Sequence, residues 1–416
     1  MAIHTPLARK PPGSESRKGR HARHATSRAR TFRRATGLLA VLIGVLVIAA
    51  LLTLVFVGIS SPGQLVPGPH GATATTAPAS HRTEHSPTAS HTTGAAPTPP
   101  SASTAVTAAV GRTTWQLPAP IGDETALPVP GSATEVEILG GLTTGNERAQ
   151  GVFTMNLSSG ALTQVGDLQS ALADAAGAVV AGLGTVAGGT TPAPVATVQR
   201  LPALTAGTAS TDVTGALPAP RSGAATATIG ATTYVVGGED GTTPEPTVLA
   251  TTDGRHFTTV ATLHQPVAFP AVAALGPDLY VFGGVALSGP ATGKPVTTVQ
   301  VVDPAARTAT TDGVMPVPLA GASAVTLGGH LFVIGGDTNA ASALGSIGTS
   351  STVWVYGPGA DRSAPTLRVA GHLFVPVARA GVAVVGTTAW VVGGDDDGAP
   401  VTTVQTVTPG SPDAAS

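Results

Sequence analysis

Six times along this chain an apolar run stops at a pair of glycines. The pairs are Gly140-Gly141, Gly188-Gly189, Gly237-Gly238, Gly283-Gly284, Gly335-Gly336 and Gly393-Gly394, and successive first glycines lie 48, 49, 46, 52 and 58 residues apart. Runs such as Tyr280-Val281-Phe282 and Phe332-Val333-Ile334 are short and rich in β-branched and aromatic residues, which predicts strands. Before four of the pairs stands a small-residue segment, at 224–230, 271–276, 323–328 and 381–386, joined to the run through a glycine turn. Each such unit reads as a hairpin. Leu162-Thr163-Gln164-Val165, His256-Phe257-Thr258-Thr259-Val260, Val299-Gln300-Val301-Val302 and Val353-Trp354-Val355-Tyr356 supply third and fourth strands.

Four antiparallel strands recurring every ~50 residues cannot bury their faces singly, and radial stacking is the usual solution. The expected fold is therefore all-β, a six-bladed propeller over residues 111–409. The sixth repeat reaches only three strands before the chain ends, and Gly111–Pro118 is an orphan strand ahead of the first repeat. Pairing the two would close the ring, with 111–118 as the sixth blade's outer strand. The twelve glycines read as structural, because backbones that converge on a narrow axis leave no room for a Cβ. None opens a helix, as a phosphate-cradling loop would require.

Residues 37–59 carry no charge and are almost wholly apolar. At ~1.5 Å per residue such a helix spans the ~30 Å of a hydrocarbon core. Ten basic residues against Glu15 precede it in residues 1–36, whereas the remainder holds eleven basic and twenty-two acidic residues. The positive flank keeps the amino terminus cytoplasmic and places the carboxyl-terminal domain outside the cell membrane on a single-pass, uncleaved anchor. Retention and lipid attraction explain the basic tail, so no nucleic-acid partner is expected. Residues 60–110 are dominated by Pro, Ser, Thr, Ala and Gly, a composition that forms a disordered, flexible linker, and 410–416 form a disordered end. The abundance of Ala, Gly, Val and Arg over Lys reads as a high-GC bacterial genome. Cysteine is absent, which excludes disulfides, thiolate metal sites and cysteine nucleophiles.

The phrase of strand, turn, Tyr/Phe-Val-x-Gly-Gly, loop and Val-x-x-x-Asp-Pro, the last seen at Val299–Pro304, resembles the kelch repeat. The resemblance runs from about 111 to 409 and implies a propeller like the central domain of galactose oxidase. The usual kelch tyrosine and tryptophan are sparse here, Trp354, Tyr356, Phe257 and Trp115 being the main aromatics. Copper-radical chemistry is excluded with the missing cysteine.

Candidate chemistry lies on the face formed by the loops between strands 2 and 3 and between strands 4 and 1. It receives Glu239, Asp240, Asp337, Asp395, Asp396 and Asp397 directly after double glycines, and Asp123, Glu124, Asp174, Arg221, His264 and Arg379 from the strand 4–1 connections. The ligand-binding candidates are Glu239, Asp240, Asp337, Asp395, Asp396, Arg221 and Arg379. The carboxylates would suit a hard cation such as Ca²⁺, but Asp395-Asp396-Asp397-Gly398 lacks a full calcium-loop spacing, and no cofactor or metal site is expected. No serine sits on a nucleophile turn. The expected function is binding of an envelope glycan, surface ligand or protein partner. The alternative is an exported carbohydrate-active enzyme, mutarotase- or lyase-like, in which Arg221 or Arg379 would hold an acidic sugar. Convergence of Arg221, Arg379, Asp337 and Asp395 on one pocket would favour the enzyme.

Overall fold

The computed structural model describes residues 106–202, 209–286, 292–338, 348–357 and 366–410. The expected tail (1–36), span (37–59), nearly all of the linker (60–110) and residues 411–416 lie outside the described residues. Among the described residues every regular element is a strand, and no helix is long and apolar enough to cross a membrane.

The strands form six blade sheets, antiparallel except where the short strand Ala209–Ser210 joins Leu162–Asp167 in parallel, and one separate two-residue ladder of Asp395–Asp396 with Ala399–Pro400. The first blade is built from Thr125–Pro128, Glu135–Leu139, Gly151–Asn156 and Leu162–Asp167, and the second from Ala176–Val180, Leu183–Ala187, Thr197–Arg200 and Asp212–Ala216. The third comprises Ala225–Ile229, Thr232–Val236, Thr247–Thr251 and Thr258–Thr262; the fourth, Ala271–Leu275, Asp278–Phe282, Lys294–Asp303 and Thr308–Leu319. The fifth comprises Ser323–Leu327, His330–Ile334, Thr352–Gly357 and Thr366–His372. The sixth takes Gly381–Val385, Thr388–Val392 and Val404–Pro409 from the end of the chain and Ala108–Arg112 from the beginning of the domain.

That last pairing closes the ring as expected, but with a different strand. Ala108 pairs with Pro409 and Arg112 with Gln405, so the strand lies upstream of the expected 111–118. Trp115, which suggested the later position, follows the strand and packs across Gly160 beside the first blade. Ala108-Ala109-Val110 reads as linker in composition and becomes a strand only because an unpaired edge is waiting for it.

The core is divided. Six apolar clusters each lie between two neighbouring blades. In the fourth blade's second strand, Leu279 and Val281 pack toward the third blade while Tyr280 and Phe282 pack toward the fifth. Both faces of an inner strand are therefore buried, which is why it reads as a continuous apolar run rather than an alternating one. The rings of Tyr280, Phe282 and Tyr356 meet with centroids 5.3 to 6.5 Å apart, and Tyr356 Oη donates to Asp312.

The double glycines join blade to blade. The second glycine of each pair donates its N–H to a carbonyl of the next blade's entry segment: Gly141 to Leu172, Gly189 to Arg221, Gly238 to Val267, Gly284 to Leu319, Gly336 to Val377 and Gly394 to Ile121, at 2.7 to 2.9 Å. A Cβ on the first glycine would overlap that same carbonyl oxygen in all six blades, and its φ lies between +55° and +69°. Glycine is thus required twice at each junction, for conformation and for approach.

A second joint uses glutamine. In the second, fourth and sixth blades the third strand contains Val-Gln, and the buried amides of Gln199, Gln300 and Gln405 reach the chain entering their blade, as in Gln405 Oε1 accepting from Phe374 N–H at 2.7 Å and Gln405 Nε2 donating to Val375 at 2.9 Å. The odd blades carry Phe153, Leu249 and Trp354 at that position.

Two outcomes are expected. Deleting residues 108–112 should lower the melting temperature of the propeller by about 10 °C or more, by calorimetry, because one blade loses its outer strand and the ring its closure; unchanged melting would contradict the closure. Gly335→Ala should cost about 3 kcal/mol in denaturant titration, whereas Gly329→Ala, also at positive φ (+77°) but with no atom within 4 Å of the new Cβ, should cost only about 1 kcal/mol.

Candidate functional site

One residue from each blade's entry meets its counterparts around the axis: Asp123, Asp174, Gly223, Phe269, Gly321 and Arg379. All six adopt left-handed backbone geometry, with φ between +50° and +60°. Their peptides form a closed circuit. Asp123 N–H donates to Arg379 carbonyl (3.1 Å), Arg379 to Gly321 (2.7 Å), Gly321 to Phe269 (2.9 Å), Phe269 to Gly223 (2.6 Å), Gly223 to Asp174 (3.0 Å) and Asp174 back to Asp123 (3.2 Å). Left-handed geometry costs little for Gly or Asp but is unfavourable for Phe and Arg, so at Phe269 and Arg379 the surrounding ring imposes it.

Arg379 is the electrostatic centre. Its Nε lies 2.9 Å from Asp123 Oδ1, Nη1 lies 3.3 Å from Asp337 Oδ2, and Nη2 pairs with Asp395 Oδ2. These three carboxylates are nearly buried, and Arg379 stays charged because burial, which works against its charge, is outweighed by their negative charges. Asp337 and Asp395 arrive by the same device: the residue after a double glycine bridges to the residue before the ring in its own blade, Ala320 to Asp337 and Ala378 to Asp395. Glu239 holds the equivalent bridge with Ser222.

Asp123 also stands beside Asp174 on the wall of one cavity. Burial, reinforced by the neighbouring Asp174 charge, raises Asp123 well above the ordinary carboxylate range despite Arg379. Burial raises Asp174 as well, against the pull of its neighbours Asp123, Arg379 and Arg148. Glu239 and Asp337 are raised, chiefly by burial. Over this ring lies a cavity of about 380 Å³ whose walls include Asp123, Asp174, Arg148, Arg379, Phe269 and Leu142. Beneath it the axial channel is lined by the small residues of the innermost strands, such as Ala175, Gly177, Ala225 and Ala324.

Just below the ring sits Glu124. Its Oε1 accepts the Gly381 N–H at 2.9 Å, a bond between the sixth and first blades, while Oε2 has no hydrogen-bond partner. Burial pushes this carboxyl up to about 8. Glu137, buried between the first and second blades near Gly184, is pushed up to about 7 by burial alone.

The remaining candidates lie elsewhere. Arg221 is 1% exposed and points into its own blade, with Nη1 donating to Gly237 and Thr247 carbonyls and Nη2 to Thr247 Oγ1 (2.7 Å) and Glu245 Oε2 (3.2 Å). Asp240 caps its own loop, accepting from Thr242 and Thr243 N–H groups, which hold it well below the usual carboxylate range. Asp396 lies in a two-residue hairpin with Ala399, and Asp397 accepts the Gly348 N–H of the fifth blade's loop. Of the three consecutive acids only Asp395 reaches Arg379. Among the described residues no group of three or more His, Asp or Glu is arranged to hold a metal ion.

The Kelch motif family model matches residues 318–361, which contain the first three strands of the fifth blade. Six blades repeat that build around one axis. The domain is a kelch-repeat β-propeller. A comparison with curated proteins finds no match. Within this kelch propeller, Arg148 and Phe269 escaped the sequence reading. Arg148 is the one basic residue in an otherwise ordinary loop after the first double glycine, and Phe269 shares no residue type with the other five ring positions.

The raised carboxyls carry a stability consequence. Their folded values lie above the ordinary 4.5, so the folded state retains protons that the unfolded chain has released. The stability they contribute is full below about pH 4.5 and is lost as pH rises through 7 and 8. Thermal melts from pH 5 to pH 9 should therefore show falling stability, on the order of a few kcal/mol, and Glu124→Gln should flatten the fall. An equally steep loss in that variant would remove Glu124 as a cause.

Proposed function

We propose that this kelch propeller is an extracytoplasmic binding module, anchored by the single span at 37–59 and presenting its axial mouth to a protein partner or glycan of the cell envelope. Kelch propellers are, in general, protein-interaction modules. The observation that carries the reading is the cavity of about 380 Å³ over the ring, walled by charged side chains whose backbone is fixed. A rigid polar concavity suits recognition, since its donors and acceptors need little reordering on binding. The uncharged stretch at 37–59 and the basic residues before it support the anchoring and its orientation.

The carbohydrate-active alternative required an arginine able to grip an acidic sugar. Arg379 divides its guanidinium among three carboxylates, and Arg221 is spent inside the third blade. Three of the four converging residues do meet, yet they meet one another. Binding is the better reading of that arrangement.

The absence of cysteine makes both parts of the proposal testable by single substitutions. In intact cells, Ser101→Cys should react with a membrane-impermeant maleimide, and Ser16→Cys should react only after permeabilisation; the reverse pattern would overturn the orientation. A photo-cross-linker attached at Asn146→Cys, on the cavity wall, should trap a discrete partner that the same reagent at Gly329→Cys, in the fifth blade's hairpin turn, does not trap. Equal trapping at both positions would count against the mouth as the binding face.

A further inference from the structure

Arg379 neutralises part of the charge at the mouth and leaves part of it over. Five carboxyls, of Asp123, Asp174, Glu239, Asp337 and Asp395, stand about the ring against the guanidiniums of Arg379 and Arg148. Arg148 is tied by Nε to Thr190 Oγ1 at 3.1 Å. Asp123 and Asp174 line the same cavity wall, and neighbouring buried carboxyls favour sharing a single proton over both being charged. An independent sign lies just below. Glu124 is 7% exposed, its Oε2 accepts no hydrogen bond, and it lines the channel segment that also has Asp123, Asp174 and Arg379 on its walls. A buried carboxyl oxygen without a partner is costly, so a donor entering from the mouth would relieve it.

The walls around these oxygens are partly apolar. Leu142 and Pro400 line the cavity beside Arg148, and Phe269 reaches it from the opposite side of the ring, its aromatic edge lying over Gly223. A bare metal ion would gain nothing from such walls and would need about six oxygens released from their present bonds. An anion would meet the carboxylates. A compact organic cation meets both sets of groups: three N–H donors for the oxygens, and methylenes for Leu142, Pro400 and the face of Phe269.

We propose that the channel mouth binds a primary ammonium carried on a short aliphatic stem, seated between Asp123 and Asp174 above Glu124. The ligand is either the lysine side chain of a partner or a free alkyl amine. The proposal rests on the mouth being the binding face. As the ammonium enters, the proton shared by Asp123 and Asp174 leaves to the buffer, and both carboxylates become acceptors for its N–H groups. Arg148, the one mouth cation not held by the three carboxylates, competes with the ligand for Asp174.

The test is calorimetric titration of the full chain at neutral pH with three probes: n-pentylamine, Nα-acetyl-lysine amide and Nα-acetyl-norleucine amide, which keeps the stem and lacks the charge. The two amines should bind, and comparison of buffers of different ionisation enthalpy should show release of about one proton per ligand. The norleucine amide should not bind. Tighter binding of the lysine amide assigns the site to a protein side chain, and tighter binding of pentylamine assigns it to a free amine. Asp174→Asn should weaken amine binding by about tenfold, while Arg148→Gln should strengthen it, a gain that misfolding cannot produce. The proposal is overturned if neither amine saturates, if the norleucine amide binds as well as they do, or if Asp174→Asn leaves the affinity unchanged. Amine failure with Asn146 cross-linking retained would remove the ammonium and leave the binding module, whereas loss of both would remove both.

Discussion

The hydrogen bond from the second glycine of each blade to the carbonyl at the entrance of the next is the joint on which this propeller depends. It occurs six times with nearly constant length. It fixes how far each wedge sits from its neighbour, and so how wide the axis is. It also sets what may line the axis. With the blades held this close, the innermost strands line the axis mostly with Ala, Gly, Ser, Thr and Val, and the aromatic side chains are driven outward into the interblade clusters.

Around the axis the same closeness concentrates charge. Three carboxylates surround one guanidinium at low exposure, an arrangement that would be costly if any partner were missing. Arg379 and Asp123 enter through the strand 4–1 connections of two blades and Asp337 and Asp395 through the loops after double glycines, so four separate segments of chain must be in place before the cluster is satisfied. Charge satisfaction at the centre and closure at the rim, where Ala108–Arg112 meets Val404–Pro409, are separate locks on the same ring.

Much of the architecture was legible because its cause is local. The double glycines, the apolar runs and the hairpin turns are imposed by constraints within a few residues, and they predicted the blades. Asp337 and Asp395 were legible for the same reason, since their position after Gly-Gly carries them to the axis. The sequence could not show that Arg221 and Arg379, at similar points of two repeats, point in different directions, because that choice depends on Glu245 and Thr247 in one blade and on acids from three others for the second. Asp123, Asp174 and Arg379 were placed on this face by the sequence, but their union with Gly223, Phe269 and Gly321 in one ring was hidden because the six positions share no single residue type. The closing strand was misplaced because Ala-Ala-Val has no strand signal of its own. The Val-Gln of the even blades was visible in the sequence, but its meaning required the entering chain to lie beside it.

The circuit of six peptides around the axis has a further consequence. Every N–H and every carbonyl facing its neighbour in that circuit is already satisfied, and the peptide dipoles run tangentially and largely cancel around the loop. The backbone therefore offers a visitor at this level almost no field and no free hydrogen bond. Whatever is recognised there is recognised by the teeth of this fixed gear, the side chains of Asp, Asp, Gly, Phe, Gly and Arg in turn. The gear is made of main chain, but its teeth lean on one another: a Cβ on Gly223 would meet the Phe269 ring at 2.9 Å and one on Gly321 the Arg379 side chain at 2.9 Å, so the two glycines are the spaces into which the neighbouring teeth fold.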